Sequence, residues 1–467
     1  MKYISTRGDA PALGFSDAVL AGLARDGGLY VPENWPKLDH ATLKNLQGKS
    51  YADIAKVVLE PFLGGEIPTS DFHKMIDDAY ATFEHPAVAP LVQTGPNEFI
   101  QELFHGPTMA FKDVAMQLLA RIVDYILAKR GERVTIVGAT SGDTGGAAIE
   151  AFRGRDNSDI FILFPDGKVS DVQRWQMTGV QDANVHALAV EGNFDDCQAL
   201  VKAMFNHHSF RDTLKLSGVN SINWGRIMAQ IVYYISAGVA LGAPDRAVSF
   251  CVPTGNFGDI FAGYVAKQMG LPIDQLIIAT NSNDILARTL ETGRYETAGV
   301  HATSSPSMDI QVSSNFERLL FAATGQDGDT IKRFMSSLSQ SGAFTLTDGA
   351  IEFIRKDFDA GRANEKEVAN TINNVLKESD YLLDPHTAVG VAVARNMEAS
   401  SSAPMVVLST AHPAKFPDAV SKACGTIPTL PARNKDLMSG TERFTVVSND
   451  LAALETFITN HSRAANI

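Results

Sequence analysis

Apolar and polar positions change period several times along this chain, and the changes divide it into segments. In "HGPTMAFKDVAMQLLARIV", His105 to Val123, the residues Phe111, Val114, Ala115, Leu118, Leu119 and Ile122 recur at helical spacing. That predicts an amphipathic helix opening near Thr108. From Val134 onward, continuous apolar runs alternate with helical segments: "VTIVGA" (134–139), "IFILFP" (160–165), "VHALAV" (185–190), "VSFCVP" (248–253), "LIIAT" (276–280) and "PMVVLST" (404–410). Such runs predict parallel strands covered on both faces, and therefore an α/β fold. The long apolar helix "GRIMAQIVYYISAGVALG" (225–242) places a division near 217–225. The expected organisation is an N-terminal mixed lobe (1–90), a smaller α/β domain (91–220) and a larger one (221–467). Arg288–Ser314, rich in Gly, Thr, Ser and Pro, reads as a long connecting loop of the kind that is usually functional or mobile. Helical patterns resume from Asn315 to Met397, and the tail after Gly425 holds a Pro-rich loop, a strand "RFTVVS" and a last helix.

Size agrees with this division, since 467 residues exceed one ordinary core and 45% hydrophobic content can bury two or three. A net charge of -13 with no Lys/Arg cluster argues against a nucleic-acid partner. Any anionic ligand must then be met locally, by loops and single cations. Cys197, Cys251 and Cys424 lie far apart without ligand spacing, so neither a disulfide framework nor a metal site is expected. The opening "MKYISTRGDAPALGFSD" has no apolar signal core, and no window approaches the roughly 18 apolar residues of a membrane span. The expectation is a cytoplasmic protein with no membrane partner.

Against this background Lys112 stands out. It shares a stripe with Ala115, Met116 and Leu119 and lies near the positive end of a helix dipole, two placements that disfavour a cation. It is either a lysine that snorkels to water along its aliphatic stem, or a buried amine of lowered pKa. The latter can form an imine with a carbonyl, as lysines do with pyridoxal phosphate (PLP).

Four loops at strand ends carry further candidates. Thr254-Gly255-Asn256-Phe257-Gly258-Asp259 links a strand to a helix, as an anion site or an ordinary turn, and no GxxxxGK[ST] loop occurs. Thr140-Ser141-Gly142-Asp143-Thr144 repeats that architecture, to hold a carboxylate or to cap the helix, and it lacks dinucleotide spacing. Asn220, Ser221, Asn223 and Arg226 precede and open the long helix, where Arg226 could grip a phosphate or merely cap. Ser409 and Thr410 end the last strand, in "STAHPAKFPDAV".

Taken together, "YISTRG", "FSDAVLAGLARDGGLYVPE", "HGPTMAFKD", "ATSGDTG", "NSINWGRI", "PTGNFGDI", "SPSMDIQVSSNFERLLF" and "DPHTAVG" closely resemble the threonine synthases, PLP enzymes of the tryptophan-synthase-β family. The resemblance runs nearly end to end. It implies fold type II, two doubly wound sheet domains behind an N-terminal mixed lobe, and PLP as cofactor. Lys112 would be the Schiff-base lysine and, once freed, the general base. Gly255, Asn256, Phe257, Gly258 and Asp259 would hold the cofactor phosphate, Thr410 the pyridine nitrogen, and Asp143 would lie by the ring hydroxyl, where many relatives of this fold carry Asn. Thr140, Ser141 and Thr144 would surround the substrate carboxylate, with Asn220, Ser221 and Arg226 at the substrate phosphate. The implied reaction converts the small-molecule substrate O-phospho-L-homoserine and water into L-threonine and phosphate, in a monomer or homodimer. The alternatives are a PLP lyase or dehydratase that yields a 2-oxoacid, and a non-catalytic ligand-binding homologue.

Overall fold

The apolar runs become the inner strands of two parallel sheets in the computed structural model, which describes residues 1–397 and 402–466. One sheet runs in the order Thr445–Val447, Val185–Val190, Ser158–Pro165, Val134–Ala139, Leu216–Ser217, all parallel. The other runs Phe358–Arg362, Ile273–Thr280, Val248–Pro253, Met405–Ser409, Glu98–Glu102, Leu91–Gln93, parallel except for its last pair. Ser158–Pro165 and Val248–Pro253 are buried at every position. Helices cover both faces, so these strands are continuous apolar runs and not alternations. The α/β class expected from the sequence is the one observed.

The sheets do not divide the chain at residue 220. Glu98–Glu102, expected in the smaller domain, pairs with Met405–Ser409 along its whole length and so belongs to the larger sheet. The tail crosses in the opposite direction: Thr445–Val447 pairs with Leu188–Val190, the helix Leu451–His461 packs on Phe194–Asn206, and Arg463 holds Asp159 at 2.8 Å. Strand partners are remote in sequence, and local periodicity carries no record of them. "EFIQE" reads as polar, yet Gln101 is fully buried and donates its amide to the Tyr233 carbonyl at 2.9 Å. Two short strands, Ala343–Thr345 and Phe358–Arg362, also interrupt the stretch expected to be helical.

The stretch 288–314 is fastened in place. Its start lies in the helix Ile285–Thr292 and the strand Arg294–Glu296. Asn281 donates to Thr303 Oγ1 and Asp309 Oδ1, both at 2.8 Å, and Asn283 donates to Asp309 Oδ1 at 3.0 Å and to the His301 carbonyl at 2.8 Å. Ser305 and Met308 are buried as a result.

The N-terminal lobe shares one apolar core with the helices Lys112–Arg130 and Trp224–Ala240. Tyr3, Trp35 and Phe62 pack around Trp224 with ring centroids 6.0, 6.0 and 5.8 Å away. Arg7 pairs with Glu317 at 3.0 Å, and buried Arg318 donates to the carbonyls of Tyr30 (2.9 Å) and Ile222 (2.6 Å). These contacts brace the start of the long helix. Among the described residues no helix is long and apolar enough to cross a membrane.

Candidate active site

All four candidate loops leave the carboxyl ends of adjacent strands, where open α/β sheets meet their ligands. Gly255–Asp259 follows Val248–Pro253, and Thr410 follows its neighbour Met405–Ser409. Thr140–Thr144 follows Val134–Ala139, and Asn220–Ser221 follows its neighbour Leu216–Ser217.

The Lys112 helix opens at Lys112 itself and not near Thr108. Thr108 donates its N–H and hydroxyl to the Asp113 carboxylate, each at 2.7 Å, which folds the preceding turn back over the helix start. Gly106 is required in that turn, because a Cβ there would lie 2.4 Å from Asp113 Cβ. Phe111 N–H donates to the Thr410 carbonyl at 2.9 Å, so Lys112 lies beside Thr410. Lys112 does not snorkel: it is 7% exposed, with Nζ 3.6 Å from Asp143 Oδ2 and 4.6 Å from the Phe111 ring centroid. Burial lowers its pKa, Asp143 opposes the drop, and the cations Lys415 and Arg226 reinforce it.

Asp143 is the hub of the site. Its Oδ1 accepts from Lys415 Nζ and Gln173 Nε2, each at 2.9 Å, and its Oδ2 accepts from the Ser307 hydroxyl at 3.3 Å. Burial works against its charge, but Lys415 first and Lys112 second hold the carboxyl well below the usual range. Ser307 joins the two halves of the site. A Cβ on Gly255 would sit 2.8 Å from the Ser307 carbonyl, and Ser307 N–H donates to His386 Nε2 at 3.3 Å. His386 in turn directs Nδ1 to Asp384 Oδ2 at 2.8 Å.

In the glycine loop, Phe257 adopts φ +65°, held by packing against Phe316 and Phe358 with ring centroids 5.2 and 5.9 Å away. The N–H groups of Gly255, Asn256, Phe257 and Gly258 donate to no acceptor among the described residues, and they open the helix Gly258–Met269. This is an anion cradle. The Asn256 carbonyl, by contrast, is bound by Asn315 N–H at 3.0 Å and by its amide at 2.9 Å. Asp259 does not turn its carboxylate into the loop. That group accepts from the hydroxyls of Tyr233 and Tyr234, and burial pushes its pKa up to about 6 against those hydrogen bonds.

Thr140 Oγ1 accepts from Gly142 N–H and Gly145 N–H, both at 2.9 Å, and so ties the loop to the first turn of the helix Asp143–Phe152, whose N-cap is Gly142. Ser141 and Thr144 are half-buried and keep their hydroxyls free of partners among the described residues. In the third loop Asn223 is the cap, accepting from Gly225 N–H at 2.9 Å, while Asn220 is exposed and Ser221 half-buried. Arg226 is 2% exposed and, among the described residues, donates only to the Val219 carbonyl, at 3.2 Å. Its Nε has no partner, and burial brings its pKa down to about 10. A buried cation without a carboxylate is costly unless an anion arrives. Among the described residues no group of three or more His, Cys, Asp or Glu is arranged to hold a metal ion.

A buried amine, an unspent nest of N–H groups and an unpaired guanidinium together fit a phosphorylated aldehyde and an anionic substrate. The family comparisons agree. The model described as "Pyridoxal-phosphate dependent enzyme" matches residues 84–411, "Threonine synthase N terminus" matches 2–80, and "Threonine synthase, C-terminal" matches 387–458. The chain belongs to the threonine synthase family. It is 54% identical to threonine synthase of Pseudomonas aeruginosa, over 99% of this chain and 98% of that one. Its fold superimposes on the PLP-bound threonine synthase from Brucella melitensis with TM-score 0.97 and 66% identity, covering 99% of this chain and 100% of that one. The yeast threonine synthase structure gives 0.94 at 41% identity, with 98% of each chain covered. PLP is accordingly the cofactor.

Relative to this threonine synthase site, sequence reasoning passed over Lys415, Gln173, Ser307 and His386. Ser307 and His386 lay unremarked inside the motifs "SPSMDIQ" and "DPHTAVG", and Lys415 left a local signal of its own, a lone lysine between apolar residues in "HPAKFP".

Proposed function

We propose that this protein converts O-phospho-L-homoserine and water into L-threonine and phosphate, the last step of threonine biosynthesis. The observation that carries the reading is that the buried amine of Lys112 and a buried Arg226 with no carboxylate partner among the described residues lie in one site of threonine synthase fold. PLP, when bound, supplies an electron sink for charge developing at the substrate carbons. Lys112 would hold it covalently, the N–H groups of Gly255–Gly258 would hold its phosphate, Thr410 would meet the pyridine nitrogen, and Asp143 the ring hydroxyl.

The reaction requires protons to leave Cα and Cβ, the γ-phosphate to depart, water to add at Cβ, and protons to return to Cγ and Cα. Lys112 Nζ is the base for these transfers: burial, helped by Lys415 and Arg226 against the pull of Asp143, lowers its pKa and favours the neutral amine. Arg226 offsets part of the charge of the departing dianion, and Asn220 and Ser221 offer it hydrogen-bond donors. Ser141 and Thr144 offer free hydroxyls to the substrate carboxylate, and Thr140 shapes that loop by accepting from the Gly142 and Gly145 N–H groups. Charge stabilisation at the γ-phosphate is what separates this chemistry from simple dehydration. Incubation with O-phosphohomoserine, with threonine, phosphate and 2-oxobutyrate measured together, tests the reading: threonine and phosphate should appear in equal amounts, and oxoacid without threonine would overturn it. We also propose that the enzyme is cytoplasmic and works as a monomer or homodimer, to be checked by fractionation and by sedimentation.

A further inference from the structure

Lys415 lies in the short turn Pro413–Lys415 directly after Thr410, and its side chain is fully buried. Its ammonium meets Asp143 Oδ1 at 2.9 Å and the Thr108 carbonyl at 2.8 Å, in the turn that launches the Lys112 helix. Gln176 donates to the same carbonyl at 2.9 Å, and His412 fixes the Lys415 turn by accepting from Ala414 N–H at 3.1 Å. The ammonium is therefore anchored at both ends of a rigid span.

Asp143 thus has two lysines but only one close cationic partner. Lys112 stands off at 3.6 Å, on the oxygen it shares with Ser307. We infer that Lys415 is a positioning residue of this reaction: it serves as the permanent counter-ion of Asp143, leaving the Lys112 nitrogen free for covalent and proton-transfer work. This deepens the function proposed above and rests on it.

Without Lys415, Asp143 would be a buried carboxylate whose only nearby cation is Lys112, and the pair would lock into a salt bridge that keeps the amine protonated. With it, Asp143 and Lys415 form a neutral unit, which is how a carboxylate can occupy a place where an uncharged amide would otherwise serve. The charged groups facing Lys112 are then Asp143, Lys415 and Arg226, with Asp259 behind; His386 faces Asp143. Lys415 lowers the proton affinity of Lys112 both directly, as a like charge, and indirectly, by occupying its anion.

The test is a pH titration of the visible absorbance of purified holoenzyme, which reads the proton on the Lys112 nitrogen, run beside the pH profile of kcat/KM. Lys415→Met should move the titration and the acid limb of the profile upward by about one pH unit, a tenfold gain in proton affinity. The double variant Asp143→Asn/Lys415→Met removes anion and cation together and should return both toward the unsubstituted enzyme. A Lys415→Met enzyme that loses activity or stability with its titration unmoved would overturn the inference, as would a double variant that titrates like Lys415→Met. Should Lys415→Met fail to fold, the double variant decides alone: titration near the original position supports the role, and a displacement of a full unit or loss of the band rejects it. Absence of a visible band in the unsubstituted protein would instead remove the Lys112–PLP reading, which keeps the two failures distinct.

Discussion

Replacing Arg226 with methionine should make the substrate-free enzyme more stable and the enzyme much worse at binding its substrate. The guanidinium is 2% exposed, donates to one carbonyl at 3.2 Å and leaves Nε without a partner. Burial depresses its pKa to about 10. Against an ordinary value of roughly 12.5, and at about 1.4 kcal/mol per pKa unit, the folded state carries a penalty of about 3–4 kcal/mol for keeping this charge. The sign follows from linkage. A cation whose folded pKa lies below its unfolded one costs stability in full below the folded pKa, and the cost fades only as pH climbs past it, so all of it is present near pH 7. Methionine has similar reach, no charge and no donors, and it recovers most of that penalty at the expense of one hydrogen bond. Thermal unfolding of substrate-free Arg226→Met should therefore rise by a few degrees. Charge-assisted hydrogen bonds to a phosphate are worth about 1.5–3 kcal/mol, so KM for O-phosphohomoserine should rise by roughly 10- to 150-fold. A variant less stable than the parent, with KM unchanged, would refute both the idle-cation argument and the phosphate assignment.

Lys112→Ala should lose the visible absorbance of bound PLP and all turnover, as spectra and a threonine assay would show; a surviving band would mean another residue holds the cofactor. Gly255→Ala places a methyl 2.8 Å from the Ser307 carbonyl and 3.4 Å from Met308 Cα, both backbone atoms of the fastened 305–309 turn. Overpacking of about 1–3 kcal/mol should weaken PLP retention by roughly 5- to 150-fold in an absorbance titration, and unchanged affinity would show that the turn yields. Asp259→Asn should stabilise the enzyme above pH 6. The folded carboxyl titrates at about 6, against roughly 3.9 when unfolded, so its cost grows between these values to about 3 kcal/mol. Denaturation midpoints of variant and parent should therefore converge below about pH 4, and a gap that persists there would point to lost hydrogen bonds with Tyr233 and Tyr234 instead.

Side-chain chemistry close to each strand end was legible because it is local. The runs at 134–139, 160–165 and 248–253 declared buried strands, the glycines at 255 and 258 a turn that leaves N–H groups exposed, and Lys112 a cation set where cations fare badly. Resemblance to threonine synthases then implied roles that no single loop carries. Even so, the Thr140 hydroxyl turned inward to its own loop's N–H groups, Asn223 became a helix cap, and the Asp259 carboxylate turned away to the tyrosines, since a side chain's hydrogen-bond partner depends on what packs next to it.

Periodicity by itself determined the α/β class, the apolar strands and the helix carrying Lys112, because each depends on residues a few positions apart. Only the tertiary structure decided that Glu98–Glu102 joins Met405–Ser409, that the tail completes the other sheet, and that Lys415 rather than Lys112 is the close partner of Asp143. Strand pairing and buried charge are settled by groups far apart along the chain, and their energies depend on distances and burial that exist only once the chain has closed around them.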